Sequence, residues 1–198
     1  MPTHLSALAN RFGARAFQRE ANFTQSLAST SEKAYTVICL YADWEEFSEN
    51  LLTTSARLKP ITTSGVMVSR APGIKDSSDF RTELARVYGK KPADRFSVGW
   101  GTPSRFVKIA TKLQVRNQAT LVSAIASASS PADDLRVFRN FLAHRNFDTA
   151  RQVRARVPRL PLTVDALVGW LGNLLPGGRT QFGVWCEDLN DVARASTR

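Results

Sequence analysis

Apolar residues in this chain recur at three- and four-residue steps, the period of a helix that buries one face. From Leu5 to Ser29, one stripe holds Leu5, Leu8, Phe12, Ala16, Phe23 and Leu27, and the opposite side is rich in arginine. After "STSEK", where Ser31 offers an N-cap, "AYTVICLYADWEEFSENLLTTSARL" predicts the longest helix, stopping near Pro60. Thr, Ser, Gly and Pro then dominate from Ile61 to Ser78 around "GVMVS", which predicts a loop or one isolated extended piece. A short helix follows from Asp79 to Tyr88, closed by "GKKP"; "DRFSVGWGTPSRFVKIATKL" and "QATLVSAIASASS" read as loop, helix and helix. Pro131, Asp133 and Asp134 open the next helix, acids in a first turn complementing the helix dipole. Beyond "VPRLP", two closing helices, "TVDALVGWLGNLL" and "FGVWCEDLNDVARAST", are joined by "PGG". The expectation is a single all-α domain over residues 1–198. It is an antiparallel helical bundle whose irregular, partly helical insertion covers about 61–130, between the second helix and the helix of Asp133.

Charge adds a partner to this picture. Lys plus Arg number 27 against 17 Asp plus Glu, a formal net charge of +10. Such an excess favours a polyanion, because neutralising phosphates releases counterions and the guanidinium fork matches phosphate oxygens. Cys39 and Cys186 are far apart, lack metal-ligand spacing and have apolar neighbours, so they read as buried thiols in a reducing compartment. No signal-peptide core and no run of eighteen apolar residues is present, which points to the cytoplasm and away from a membrane. Nothing calls for a metal or another cofactor; His4 is far from any acid in a terminus expected to fray.

The helix opened by Asp133 and Asp134 carries "RNFLAH". With Leu135 at zero and about 100° per residue, Phe138, Leu142, Phe141 and Val137 fill an arc from about 200° to 360°, the core face. On the polar side, Arg139 lies near ~40° and His144 near ~180°, with Ala143, Arg136 and Asn140 between them. The small Asn140 and Ala143 leave a shallow trough edged by a phosphate-gripping arginine and a histidine able to exchange a proton near neutrality. Spacing alone favours a plainer reading, a solvated face with a surface histidine. A separation of about 140° is also wide for two groups acting on one atom. Two arrangements would close the gap: the helix ends or bends near His144, or two copies face each other and share a site.

On the longest helix, Ile38, Tyr41, Glu45, Ser48 and Leu52 share a stripe, so Glu45 interrupts an apolar face while Glu46 looks to water. A carboxylate there needs a cation or donors, and Arg139 is the first candidate. Glu45 then either orients Arg139 or His144 at the rim of a cleft, or pairs with any arginine at the core edge. Following the motif, "RQVRARVPR" places Arg151, Arg154, Arg156 and Arg159 close together, either as a phosphate track or as a solvated helix end. Arg136 and Arg145 would extend such a track into the motif helix.

Together, Arg139, Asn140 and His144 in "RNFLAH", and Trp44 followed by Glu45 in "YTVICLYADWEEF", resemble the HEPN superfamily, in particular its RiboL-PSP and MAE-type branches. The resemblance covers roughly Ser31 to Asn146 and the closing helices, except Ile61 to Ser130. It implies an antiparallel helical bundle that forms homodimers with the motifs meeting across the interface. In many members it also implies a metal-independent endoribonuclease, in which the ribose 2′-hydroxyl attacks the adjacent phosphate to leave a cyclic phosphate and a 5′-hydroxyl. On that reading the catalytic residues are Arg139, Asn140, His144 and Glu45, and RNA is held by Arg136, Arg145, Arg151 and Arg154. The family further suggests a bacterial toxin or antiviral defence effector controlled by an inhibitor or regulatory protein. One branch, paired with minimal nucleotidyltransferases, has tyrosine two positions after the histidine; here Asn146 stands there, which argues against that partner. The alternative is a non-catalytic helical module that binds RNA, a nucleotide or a protein. No helix-turn-helix with a free recognition helix is apparent.

Overall fold

A capping box starts the longest helix: Ser29 accepts from the Glu32 backbone N–H, and the Glu32 carboxylate accepts from the Ser29 N–H at 2.7 Å. The N-cap is therefore Ser29 and not Ser31, because only a cap three residues before Glu32 lets the two side chains reciprocate. In the computed structural model, which describes residues 4–91 and 98–198, α1 spans Leu5–Thr24 and α2 spans Thr30–Arg57. Helix α1 ends short of the expected Ser29. Gln25 turns extended, the Thr24 hydroxyl bonds back to the Glu20 and Ala21 carbonyls, and Leu27 is left fully exposed in the connection. Phe23 is the last α1 side chain to reach the core.

The segment after α2 runs irregularly, with Ile61 bridging both His4 and Met67, and then supplies α3 (Ser77–Val87), α4 (Pro103–Lys112) and α5 (Gln118–Ser127). Residues 92–97 of the loop expected before α4 lie outside the described residues. Phe80, Phe106, Ile109, Leu121 and Ile125 from these helices join the same buried cluster as Leu40, Leu51 and Phe138. The 61–130 segment is thus part of the core and not an appendage to it.

Helix α6 (Ser129–His144) begins earlier than Pro131, which occupies the first turn, where its missing N–H costs no helical bond. Asp133 and Asp134 consequently sit beyond that first turn, not in it as expected. Phe138 stacks on Trp170 at 5.2 Å and meets the edge of Trp185 at 5.3 Å, which fixes α6 against α8 (Val164–Gly172) and α9 (Gln181–Ala195). Between α6 and α8 the chain forms a further helix, α7 (Phe147–Arg156), where only a helix end was anticipated. Among the described residues there are nine helices and no strand. Helix α2 packs against α1 on one side and against α6 and α8 on the other. No helix among the described residues is long and apolar enough to cross a membrane. Cys186 is buried as expected, but Cys39 is only half-buried.

Candidate functional site

Helices α2 and α6 pack against each other, and the polar residues Tyr41 and Arg139 meet where they do. Trp44 is almost fully buried, and its indole N–H donates to the Gly101 carbonyl at 3.1 Å, tying α2 to the turn before α4. Gly101 is forced to be glycine: a Cβ there would lie 2.7 Å from the Glu45 Cγ and 2.8 Å from the Tyr41 Cζ. The turn therefore roofs Tyr41 and Glu45, and this close approach is the reason for a residue without a side chain.

Facing them from α6 is Arg139, half-buried, with its guanidinium carbon 5.5 Å from the centre of the Tyr41 ring and its Nη1 donating to the Asn140 Oδ1 at 2.9 Å. The Nε atoms of both Arg139 and Arg136 are buried without a hydrogen-bond partner. Arg136 has one ion contact, with Asp133 at 3.5 Å on its own helix. Burial pushes the Tyr41 hydroxyl up to about 12; the nearby Glu45 carboxylate adds to this, while a hydrogen bond with Thr102 and the charges of Arg136 and Arg139 oppose it.

The expected Glu45–Arg139 ion pair is not formed. Arg139 is committed to the Tyr41 face and to Asn140, and Glu45 is half-buried at a rim where water still reaches it, so its charge needs no dedicated cation. The contrast with Glu46 holds, since that neighbour is exposed and pairs with Arg15 on α1.

His144 is the last residue of α6 and is exposed. The next residue, Arg145, adopts a left-handed conformation with φ 44° and ψ 43°, ending the helix abruptly. A non-glycine side chain in that region costs on the order of 1 kcal/mol, so the turn needs support from its neighbours. A second capping box, at the start of α7, provides it: the Asn146 Oδ1 accepts from the Thr149 N–H at 2.9 Å while the Thr149 hydroxyl accepts from the Asn146 N–H at 3.1 Å. A tyrosine in place of Asn146 could not make this cap. Of the two arrangements that would relax the wide angle between Arg139 and His144, a helix end at His144 is the one present within a single chain. No hydrogen bond or ion pair links His144 to Arg139, Asn140 or Glu45.

The basic residues divide into committed and free. Arg156 pairs with Asp134 at 2.8 Å, joining α7 to α6 and removing it from any phosphate track. Arg151 contacts Asp148 at 3.6 Å with both side chains well exposed, a weak tie. Arg145 and Arg154 are exposed and enter no ion pair among the described residues. No set of three or more His, Cys, Asp or Glu residues among the described residues is grouped to hold a metal ion.

No known protein family, curated protein or solved structure matches this chain. The site therefore rests on its own residues. Reading the sequence missed Tyr41 as the platform for Arg139, the Gly101 roof and the Asp134–Arg156 tie. Two of these left a trace: Tyr41 stands four residues before Glu45 on one helical stripe, and "GWGTP" concentrates glycine beside a tryptophan and a proline.

Proposed function

We propose that this chain is a metal-independent endoribonuclease of the HEPN type. The observation that carries the reading is the pairing of an unmatched, pre-oriented arginine with a free histidine on one helix. Arg139 is stacked on Tyr41 and bonded to Asn140 but has no carboxylate, and His144 stands exposed at the end of the same helix. A phosphate dianion in the course of a displacement is the ligand such an arginine suits.

In the proposed reaction the ribose 2′-oxygen forms a bond to the adjacent phosphorus and the bond from phosphorus to the 5′-oxygen breaks. Imidazole accepts the 2′-hydroxyl proton while water supplies one to the departing 5′-oxygen, or water takes the first proton and imidazolium supplies the second. Arg139, with Asn140 holding its fork, carries the extra negative charge on the phosphoryl oxygens. Glu45 lies beside Tyr41 under the Gly101 turn and adds a negative charge at the rim of the site. Since His144 makes no contact with Arg139 within one chain, the reading includes a homodimer in which one copy's His144 approaches its partner copy's Arg139.

Labelled single-stranded RNA in EDTA tests this. The expected result is strand scission by the parent protein and none by Arg139→Ala or His144→Ala. Mixing the two inactive proteins is expected to restore part of the activity, because a mixed dimer regains one intact composite site. Retention of RNA without scission by the parent supports the alternative, a binding module; that alternative draws on the same lack of contact between His144 and Arg139. Undiminished scission by both variants rules the proposed site out.

A further inference from the structure

Past His144 the chain opens a cleft of about 570 Å³ between the α6–α7 turn and the start of α8. Phe141 forms its buried floor, and Arg145, Asn146, Phe147, Leu162 and Asp165 line its walls. Phe147 is 81% exposed, an unusual setting for a large aromatic that comes directly after a strained turn. Capping explains Asn146 and Thr149, and packing explains Phe141; nothing in the fold uses the Phe147 ring.

We infer that this cleft is a nucleobase subsite, in which an unpaired base of single-stranded RNA stacks on Phe147. The inference rests on reading the end of α6 as an RNA site. A base has two apolar faces and a polar edge, and it arrives attached to a phosphate; recognising it takes an aromatic face, edge donors and acceptors, and a cation. The α6–α7 turn and the start of α8 supply them between them. Phe147 supplies the face, the Asp165 carboxylate is an acceptor, the Asn146 amide nitrogen is a donor left over from capping, and Arg145 is the cation. Arg145 and Asp165 line one cleft, yet neither enters an ion pair among the described residues, so both remain open to a ligand that carries donor and acceptor groups together.

Charge selects the occupant. An apolar peptide would gain from Phe147 and Leu162, but it would leave Arg145 and the neighbouring exposed Arg154 without counter-charges, whereas the backbone of a nucleic acid matches both. Phe147 is three positions after His144, so their Cα atoms are at most about 11 Å apart. A base held here places the phosphodiester of an adjoining nucleotide toward the histidine. The left-handed turn at Arg145 is what permits this: it ends α6 at the histidine and starts the helix that carries the aromatic ring.

The test uses full-length His144→Ala protein, so that RNA is not consumed, with Phe147→Trp added as a reporter. Six-nucleotide homopolymers of U, A, C and G, and a duplex RNA, are titrated against it, with the His144→Ala parent subtracted to remove the four native tryptophans. The expected result is saturable quenching of the added emission by at least one single strand, weakened by salt and weak or missing with duplex. Phe147→Ala is expected to bind that strand at least about five-fold more weakly, and Phe147→Tyr to keep its affinity. Asp165→Asn is expected to change which homopolymer binds best. Absence of quenching with all four homopolymers, or equal affinity for Phe147→Ala and the parent, overturns the subsite. Quenching without cleavage by the active parent keeps the subsite and removes the ribonuclease; cleavage without quenching does the reverse. Circular dichroism confirms that the variants are folded, as expected for an exposed position.

Discussion

Two groups of arginines and acids lie on opposite sides of α2, and they are finished differently. On the α1 side, Asp43 is buried and receives Arg19 at 2.8 Å and Arg15 at 3.3 Å, while Arg15 also holds Glu46. On the α6 side, Arg136, Arg139 and Glu45 surround Tyr41 with no ion pair between the two helices. The first group is closed: each carboxylate has its cation, and both arginines are held still more firmly protonated by their acids. In the second group Arg139 has no carboxylate partner, and Arg136 has only Asp133, at 3.5 Å on its own helix. Charge that is spent locally holds helices together, whereas Arg139 keeps a guanidinium without a carboxylate on the same helix as the exposed His144, which is the basis of the proposed anion site.

Exchanging the roles of the two groups is the strongest way to break this comparison. Arg139→Ala or His144→Ala is expected to lower RNA cleavage by about 10² to 10⁴-fold, the range for losing a positioned acid, base or charge stabiliser, with thermal stability nearly unchanged. Rate measurements in EDTA alongside thermal unfolding separate the two effects.

Alkaline titration sharpens the open side. The Tyr41 hydroxyl ionises near 10 when unfolded and about 12 when folded. Its stabilising contribution is whole below pH 10 and falls as pH climbs toward 12, because the unfolded chain then loses a proton that the folded chain keeps. Wild-type stability is expected to drop across that window by on the order of 2 to 3 kcal/mol more than Tyr41→Phe, as followed by denaturant unfolding.

On the closed side, Asp43→Ala is expected to destabilise the fold by about 2 kcal/mol, below the cost of breaking a fully buried pair because Arg15 and Arg19 remain partly solvated. RNA cleavage at a temperature where the variant stays folded is expected to hold within about two-fold, since Asp43 touches neither Arg139 nor His144. The smallest effect belongs to Arg154→Ala: a few-fold loss of RNA affinity, with the slope of log affinity against log salt reduced by about one.

Much of the helical frame is legible from pattern, whereas the Asp43 ion group, which joins α1 to α2, was not read from it. The stripes that predicted α1, α2 and the motif helix contain Phe12, Leu52 and Phe138, and these residues are in the core. Helix ends were harder to place, because capping depends on which of two nearby serines meets Glu32, a matter of side-chain geometry and not of period. Helix α7 escaped notice because its polar sequence has almost no apolar stripe; capping by Asn146 and the Asp134–Arg156 tie hold it in place. At the site, helical spacing put Tyr41 with Glu45 and Arg139 beside Asn140. It could not place Gly101 over Tyr41 and Glu45, since that contact joins residues more than fifty positions apart. For the same reason the partner assigned to Glu45 was the wrong one: the Tyr41 ring competes for Arg139, and only packing places that ring.

The most direct test of the central claim, that the open group and His144 cut RNA through its own 2′-hydroxyl, is to compare two copies of one single-stranded RNA in EDTA. They differ only by a 2′-deoxyribose at the mapped cleavage position. The account predicts that the all-ribose strand is cut there to a cyclic phosphate and a 5′-hydroxyl, and that the substituted strand stays whole at that position while His144→Ala leaves both intact. Cutting of the substituted strand at the same bond, or products that carry a 5′-phosphate, would contradict it.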